Sequence, residues 1–400
     1  MAKSLNEKVK NYIPNDLVFS ILSKLPLKSL KRFRCVHKTW SVLFENPIFM
    51  NKFRTNLITI PHSYYDDTSI LLNQYVYDPD NGICRSLYLL SGERFENRVK
   101  LDFPNPFKIE EPQFDVLQSG SITGILCLYS SYPSNEIVLW NPTINEFKVI
   151  PHSSVDSVPP YRHIHKEIFG FGYDPISEDY KIITYVYFSR VNDQSILPPN
   201  VNWEDFAHSR EISYEPVWEI YSLRCNFWKK IDIPLPICCY CKGEGLYMDG
   251  ICHWPATCED DGQHYLVSFY LNNEVCFITP IPIDINFDEN YIVQKKLLML
   301  NGSLACILWY KYTTTYHILF LGELGVKESW TKLFVIELSD YIGYPIGVAK
   351  KCDIFFLKGD GELVYFDLCT EMIEKLGCIK RKHYSTKIII YKKNLVSIEK

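Results

Sequence analysis

The side chains best suited to metal chemistry form a group of cysteines and histidines near the middle of the sequence. The two Cys-x2-Cys pairs that a structural zinc site typically combines are not both present, and adjacent residues of a strand point to opposite faces of their sheet. Cysteine is also a common small residue of protein cores. We therefore interpret the group as core residues and expect no metal and no cofactor. It comprises Cys238, Cys239, Cys241, Cys252, His253, Cys258 and His264.

Sequence patterns of common catalytic sites are missing as well. The chain contains no G-x-S-x-G, H-E-x-x-H, Walker or Rossmann pattern, and the lone glycine pairs at 170–172 and 243–245 are typical of strand turns. His163 and His165 would share one face of an extended segment, but no third ligand lies near them in sequence. Acidic residues are plentiful, and paired carboxylates can hydrolyse glycosides. We assign no catalytic residue, and a glycan-binding or glycoside-processing propeller, with the N-terminal helices as an anchor, remains an alternative.

Positive charge is concentrated at the N-terminus. Residues 1–54 carry 11 Lys and Arg against three acidic residues, a net +8, and the chain's −5 minus this +8 leaves −13 for residues 55–400. The basic run could contact phosphates, as a nucleic-acid-binding helix does. However, the helix that would enter a groove has an apolar surface formed by Val36, Trp40 and Leu43. The acidic remainder would also repel a phosphate backbone. We expect no nucleic acid and favour an acidic protein partner. The basic run comprises Lys24, Lys28, Lys31, Arg32, Arg34, His37 and Lys38.

The sequence carries no pattern of a secreted or membrane protein. The first residues are charged and lack the apolar region of a signal peptide, and the most apolar later run, 297–310, is too short and interrupted to span a bilayer. The 14 cysteines are scattered, which favours free thiols in a reducing compartment. We expect a soluble protein of the cytoplasm and/or the nucleus with no membrane partner.

The N-terminal region has the periodicity of short amphipathic helices. Apolar residues at i, i+4 and i+8 predict a helix from about Pro14 to Lys24, which Pro26 cannot continue. A second short helix is expected over Ser29 to Arg34, followed by a third apolar stripe, and "NPIFMNKF" from Asn46 can begin a fourth helix.

This small module has more apolar side chains than it can bury by itself. If four of them stay exposed until a partner covers them, they could contribute roughly 6 to 12 kcal/mol before association costs. The excess therefore predicts a protein-binding surface. The apolar residues are Ile13, Pro14, Leu17, Ile21, Leu22, Leu25, Pro26, Leu30, Phe33, Val36, Trp40 and Leu43.

From about Leu57 the pattern changes to short strands separated by turn residues. Aromatic residues, 15% of the chain, favour strand. A strand pattern recurs every 45 to 75 residues or so, as in "GILCLYSS…EIVLWNPTINEFKVIP" and "GVAKKCDIFFLKGDGELVYFDL", which is the range of four-stranded blades with insertions. We predict a β-propeller of about six blades, closed by pairing of "KIIIYKKNLVSI" with strands near residues 57–90. Two segments, 151–167 and 189–216, are interpreted as loops and as candidate target-binding loops.

The stretch "IPNDLVFSILSKLPLKSLKRFRCVHKTWSVL" closely resembles the F-box of plant proteins over residues 12–54. Downstream, "VLWNPTINEFKVIP", "FGFGYDPISEDYKIITYVYF" and "GLYMDGICHWPA" resemble the F-box-associated interaction domain, a kelch-like propeller. One departure is a polar insertion, "CEDDGQH", between Cys258 and Tyr265, which puts the edge of that blade in doubt. The resemblance implies an F-box at 12–54 and a target-binding domain at about 57–400.

The resemblance also implies a function. It implies the non-catalytic substrate-recognition subunit of an SCF-type cullin-RING ubiquitin ligase. A Skp-type adaptor would join this subunit to the cullin and RING subunits, and the propeller would bind a target protein. Arg32, Arg34 and Lys38 would face the acidic surface of the adaptor, and Val36, Trp40 and Leu43 would hold the F-box helices together. The residues that would insert into the adaptor are Ile13, Pro14, Leu17, Ile21, Leu22, Leu25, Pro26 and Leu30.

Overall fold

The structure is a computed structural model of the 400-residue chain. It describes residues 13–33, 35–59, 68–78, 82–92, 95, 97–107, 114–117, 119–130, 135–153, 162–190, 215–235, 239–241, 245–258, 260, 262–283, 293–310, 313–338, 343–349, 353–378 and 383–398. Among these residues, no helix combines the length and the apolar character that a bilayer-spanning segment requires.

Four helices form the described part of the N-terminal region. They are α1 (Asn15–Leu22), α2 (Leu27–Phe33), α3 (Lys38–Leu43) and α4 (Pro47–Thr59). Their order and number confirm the helical pattern read from the sequence. The last helix continues to Thr59, across the domain boundary predicted at residues 54–57.

Proline and side-chain caps set the limits of these helices. Pro14 precedes α1, whose first intrahelical bond runs from the Val18 N–H to the Pro14 carbonyl, 3.0 Å. The Asn46 Oδ1 accepts a hydrogen bond from the Ile48 N–H at 2.8 Å and so caps the start of α4, where the sequence predicted a fourth helix. The His37 ring nitrogen accepts from the Thr39 N–H at 3.3 Å and caps α3.

The rest of the described chain is a six-bladed β-propeller, as predicted. Its six sheets follow one another around a ring, each joining strands that are neighbours in sequence except in the closing blade. Blade 1 contains β1 (Thr68–Asp78), β2 (Gly82–Ser91), β3 (Asn97–Leu101) and β25 (His383–Lys392); blade 2 contains β4 (Asp115–Val116), β5 (Leu126–Tyr129), β6 (Ile137–Asn141) and β7 (Glu146–Val149); blade 3 contains β8 (Arg162–Asp174), β9 (Asp179–Arg190), β10 (Val217–Ser222) and β11 (Phe227–Ile231).

Blades 4 to 6 complete the ring. Blade 4 contains β12 (Cys239–Cys241), β13 (Leu246–Met248), β14 (Ile251–Cys258), β15 (His264–Tyr270) and β16 (Cys276–Pro280); blade 5 contains β17 (Val293–Leu300), β18 (Ser303–Tyr310), β19 (Thr315–Leu321) and β20 (Trp330–Glu337); blade 6 contains β21 (Tyr344–Val348), β22 (Ile354–Leu357), β23 (Glu362–Asp367) and β24 (Met372–Cys378). A 3-10 turn, Lys327–Ser329, precedes β20.

Each blade is apolar on both faces because each packs between two neighbours. In blade 3, Ile182 and Tyr221 pack toward blade 2, whereas Ile183 and Ile220 pack toward blade 4. Successive side chains of a strand alternate between faces, so a strand buried on both faces reads as a nearly continuous apolar run. This explains why the strand segments of the sequence are nearly continuous apolar runs and do not alternate apolar with polar residues.

The ring is closed by the last strand, β25, which pairs antiparallel with β1 from Thr68 opposite Lys392 to Val76 opposite His383. This confirms the predicted closure. The chain then crosses blade 2, where the Asn141 side-chain amide donates to the carbonyls of Asn394 (3.0 Å) and Val396 (2.9 Å). C-terminal residues thus hold two blades together.

The polar insertion of blade 4 lies in the hairpin between β14 and β15. Thr257 pairs with His264, and the Cys258 N–H donates to the Gln263 carbonyl at 2.9 Å, so the register continues to the end of both strands. The insertion therefore lengthens the connection between β14 and β15, the central strands of the blade. It leaves the outer edge strand, β16, intact.

Strand order defines two sides of the propeller. In blades 2, 3, 5 and 6 the connections between the first and second strands and between the third and fourth emerge on one side, which we call the F-box face, because the helices contact it there. The β2–β3 connection of blade 1 and the β13–β14 and β15–β16 connections of blade 4 emerge on the same side. The remaining connections emerge on the opposite side, the far face. Asn301, between β17 and β18, donates to the Leu57 carbonyl, and Glu323, between β19 and β20, pairs with Arg32 at 2.8 Å.

Candidate functional site

Helix α1 presents an apolar stripe to solvent. Leu17 and Ile21, one helical turn apart, are 51% and 54% exposed, and Ile13, just before the helix, is 55% exposed, although all three are large hydrophobic residues. Pro14 and Pro26 are exposed as well, and Leu25 is half-buried. The structure therefore leaves uncovered the stripe for which the sequence predicted a protein partner, and adaptor binding by these residues stays a prediction.

Leu22 and Leu30 do not belong to this stripe, which corrects the predicted set. Both are buried in a cluster that contains Phe49 and Phe53 of α4 together with strand residues of blades 5 and 6. Because a helix has several faces and this module packs on the propeller, the face that bears Leu22 and Leu30 is covered within the chain. Their side chains pack within the chain.

Val36 is the second correction. It was expected in the core of the F-box, but it is 64% exposed in the turn before α3. Trp40 and Leu43 are half-buried and pack against the cluster, with the Trp40 ring edge-on to Phe33 at 5.7 Å. The sequence analysis also missed two exposed apolar residues, Val42 and Ile48, which extend the uncovered surface of the helices.

The basic residues of the module have different surroundings. The Arg32 guanidinium pairs with Glu323, 291 residues away in sequence, and so contacts blade 5. The Arg32 side chain is also exposed to solvent. Lys38 is exposed at the start of α3. Arg34 lies outside the described residues.

Polar contacts complete the attachment of the helices to the propeller. The buried Asn56 amide of α4 donates to the Ser23 carbonyl and hydroxyl, both at 3.0 Å, which ties α4 to the end of α1. Asn301 reaches the Leu57 carbonyl from blade 5. The F-box helices are therefore seated on the propeller by both apolar and polar contacts, and their relative orientation is set.

The axis of the propeller offers little room. Its cavity is about 40 Å3 and is lined by inner-strand residues such as Ser119, Lys296, Met299 and Ile389. A Cβ on Gly245 would overlap the Phe169 carbonyl oxygen, so this backbone approach requires glycine. None of the described lining residues is acidic or aromatic. A glycoside-processing site would require converged carboxylates or aromatic rings here.

The cysteine and histidine group lies mostly in blade 4. Cys252 and Cys258 are buried, as the interpretation of core cysteines predicted, and burial raises the pKa of the Cys252 thiol. Burial also lowers the pKa of His253 to about 3. Cys238 lies outside the described residues, and within the described ranges no three His, Cys, Asp or Glu side chains are placed to bind a metal.

The two candidate target-binding segments border the far face of blade 3. Both are partly wrong as loops, because residues 162–167 belong to β8 and residues 189–190 belong to β9. Residues 154–161 and 191–214 lie outside the described residues. The described strand ends that flank the two segments lie on the far face, opposite the F-box.

Two family models match this chain. The F-box domain matches residues 12–52, and the F-box associated beta propeller domain matches residues 86–397, which is most of the chain. Both matches agree with the helical region and the six blades.

Relatives in Arabidopsis thaliana are F-box proteins. The F-box protein CPR1 is 26% identical over 384 residues, covering 91% of this chain and 84% of its own. The F-box/WD-40 repeat-containing protein 1 is 23% identical and covers 88% of this chain and 77% of its own. The F-box protein At3g16210 is 25% identical, and the match spans 69% of this chain and 62% of that protein.

Solved propellers resemble this one distantly. The β-propeller domain of the Trilobed protease from Pyrococcus furiosus has a TM-score of 0.36 and 11% identity, covering 81% of this chain and all of its own. We draw no functional conclusion from that likeness. From the family models, the fold and the exposed helical module together, the chain belongs to the F-box proteins that carry an F-box associated beta propeller domain.

Proposed function

We propose that this F-box protein is the substrate-recognition subunit of an SCF-type cullin-RING ubiquitin ligase. Its F-box would bind a Skp-type adaptor, and the adaptor would join it to the cullin and RING subunits. The observation that supports this most is the uncovered stripe of Ile13, Leu17 and Ile21 on helices that are otherwise seated on the propeller. The protein would act in the cytoplasm and/or the nucleus.

The size of the uncovered apolar surface suits a specific protein contact. Six large apolar side chains of the module, each more than half exposed, would lose most of their remaining contact with water in a complex. At ordinary transfer energies this contributes on the order of 5 kcal/mol before association costs. The net +8 of residues 1–54 would speed encounter with an acidic adaptor. The six are Ile13, Leu17, Ile21, Val36, Val42 and Ile48.

The same chain would hold its target on the other side. The F-box occupies the face next to Asn301 and Glu323, so the far face is open to a target protein while the adaptor is bound. The chain itself would be non-catalytic, because ubiquitin transfer chemistry belongs to other subunits of such ligases. Placing adaptor and target on opposite faces would keep the two partners from competing for one surface.

Co-purification with a Skp-type adaptor tests the proposal. A Leu17→Asp/Ile21→Asp double variant changes only exposed side chains, and we expect it to lose at least tenfold in adaptor recovery because charges would face an apolar partner. The matched control is Val335→Asp/Leu395→Asp, which places the same charges at exposed apolar positions of the propeller and its tail. Equal adaptor recovery with both variants would show that the stripe does not bind the adaptor.

A further inference from the structure

A ladder of aromatic rings runs through blade 3 toward the far face. It begins in the core at Trp254 of blade 4, which stacks on Trp218 with ring centroids 5.6 Å apart. Trp218 contacts Tyr185 at 4.8 Å, and Tyr185 contacts Tyr187 at 5.9 Å. The rings are buried at Trp254 and half-buried from Trp218 onward. The ladder thus connects the interior to the surface beside the far-face connections of blade 3.

The outer end of the ladder is held in place. The His165 ring stacks on Tyr187 with centroids 4.9 Å apart and planes 13° apart, and its Nε2 lies 2.6 Å from the Ser189 hydroxyl. His165 and Tyr187 are opposite each other on β8 and β9, as are Glu167 and Tyr185. These cross-strand pairs place four side chains of one face close together.

Glu167 stands out among them. Its carboxylate is half-buried, yet its one hydrogen bond in the described part of the chain is a long one, 3.4 Å, donated by the Tyr187 hydroxyl. No described Lys, Arg or His forms an ion pair with it. Burial raises the pKa of Glu167 and opposes its ionisation. A carboxylate that is taken partly out of water without a counter-charge lowers the stability of the free protein.

This arrangement suits a cation. The faces of Tyr and Trp rings attract an ammonium or guanidinium group, and a neighbouring carboxylate supplies the counter-charge. The net charge of −13 on residues 55–400 would attract a basic partner to the propeller over longer distances. A neutral ligand could stack on the rings but would leave the Glu167 charge uncompensated.

We propose that Glu167, Tyr185, Tyr187 and Trp218 bind a lysine or arginine side chain from a basic segment of the target protein. The proposal rests on the proposed function, because it assigns the far face to the target. It goes further by naming the chemistry that the target must present. The ladder would support the bound side chain from the core, and Glu167 would select its charge.

The binding test uses the full chain and a fluorescein-labelled decapeptide of alternating glycine and arginine, followed by fluorescence anisotropy. The same peptide with citrulline in place of arginine is the neutral probe. We expect the arginine peptide to bind about tenfold more tightly than the citrulline peptide. Glu167→Gln should weaken binding of the arginine peptide about tenfold, whereas the control Asp102→Asn, which removes an exposed far-face charge, should change it less than about twofold.

Thermal unfolding separates a binding role from a structural one. Because no described residue supplies Glu167 with a counter-charge, Glu167→Gln should leave the Tm unchanged or raise it while binding is lost. A lower Tm in Glu167→Gln would show that the carboxylate stabilises the fold and would overturn the proposal. Equal affinities for the two peptides, or equal effects of Glu167→Gln and Asp102→Asn, would also overturn it.

Two further measurements separate the cation site from a glycan site and from the ligase function. If cellohexaose displaces the arginine peptide, with its own binding lost in Tyr187→Leu, the ladder is a glycan site and the proposal is wrong. Adaptor recovery is measured in parallel and should be the same for Glu167→Gln and the unchanged chain. Failure of the unchanged chain to recover the adaptor would refute the proposed ligase function while leaving the peptide result to stand by itself.

Discussion

His253 is a buried titratable group whose environment opposes a charge. Its Nδ1 lies 2.8 Å from the Ser268 hydroxyl, and its Nε2 has no hydrogen-bond partner among the described residues. The ring is almost completely excluded from solvent on β14, and burial lowers its pKa to about 3 from an ordinary 6.5. The histidine is therefore neutral in the folded protein and packs within blade 4.

Acidification should destabilise the protein through this residue. Between pH 6.5 and about 3 the unfolded chain protonates His253 and the folded chain does not, so the free energy of unfolding falls as the pH falls below 6.5. The loss is about 1.4 kcal/mol per pH unit once the unfolded histidine is fully protonated. Urea unfolding at pH 7.5 and pH 5 measures it. His253→Asn should show a smaller pH dependence; an unchanged dependence would contradict the assignment.

At the scale of elements, closure of the ring depends on contacts between the first and last strands and blade 2. Lys387 of β25 lies 3.3 Å from the Asp115 carboxylate of β4, and Asn73 of β1 donates to the same carboxylate at 2.6 Å. Although burial by itself raises the pKa of Asp115, the Lys387 and Arg85 charges and the Asn73 hydrogen bond hold it below its usual range. The closing strands are thereby joined to their neighbour by charge as well as by backbone pairing.

The C-terminal residues add a second connection to blade 2. Ile398 is buried to 2% exposure among residues of blades 2 and 3, and its N–H donates to Glu146 at 2.9 Å. We expect Ile398→Ala to lower the free energy of unfolding by about 2 to 3 kcal/mol. Leu395→Ala, in the same tail but 77% exposed, should change it by less than about 0.5 kcal/mol. Denaturant unfolding of both variants gives the comparison, and similar small losses would mean that the tail contributes nothing to closure.

At the scale of the whole molecule, the F-box helices and blades 5 and 6 share one apolar cluster. Leu22, Leu27 and Leu30 of the helices belong to it together with Ile318 and Phe320 of blade 5. The exposed Arg32 to Glu323 ion pair adds little, since pairs of that exposure typically contribute less than about 1 kcal/mol. The orientation of adaptor-binding and target-binding surfaces therefore depends mainly on buried leucines.

Two leucines of the F-box should separate stability from adaptor binding. Leu30→Ala removes a buried side chain and should lower the free energy of unfolding by about 2 to 4 kcal/mol. Leu17→Ala removes an exposed one and should change stability by less than about 0.5 kcal/mol while reducing adaptor recovery. Denaturant unfolding and adaptor pull-down on the same samples measure both. A large stability loss in Leu17→Ala would show that the exposed stripe is part of the fold.

Local patterns predicted most of the elements. Apolar spacing and prolines placed α1, Asn46 placed the start of α4, and the recurring strand runs predicted six blades closed by "KIIIYKKNLVSI". These features depend on neighbouring residues, so they can be read along the chain. The limits of segment 151–167 could not be predicted in this way, because β8 begins at Arg162 by pairing with Arg190 at the other end of the β8–β9 hairpin.

The amino-acid sequence by itself determined that this protein has basic, apolar-rich helices on an acidic propeller, because periodicity and charge are properties of neighbouring residues. Only the tertiary structure decided which side chains remain available. It buried Leu22 and Leu30 against blades 5 and 6, exposed Val36, and left Glu167 without a counter-charge from any described residue beside the aromatic ladder. Those outcomes depend on surfaces that are distant in sequence, like the Arg32–Glu323 contact between residues 291 positions apart, and no local pattern records which face of an element another element will cover.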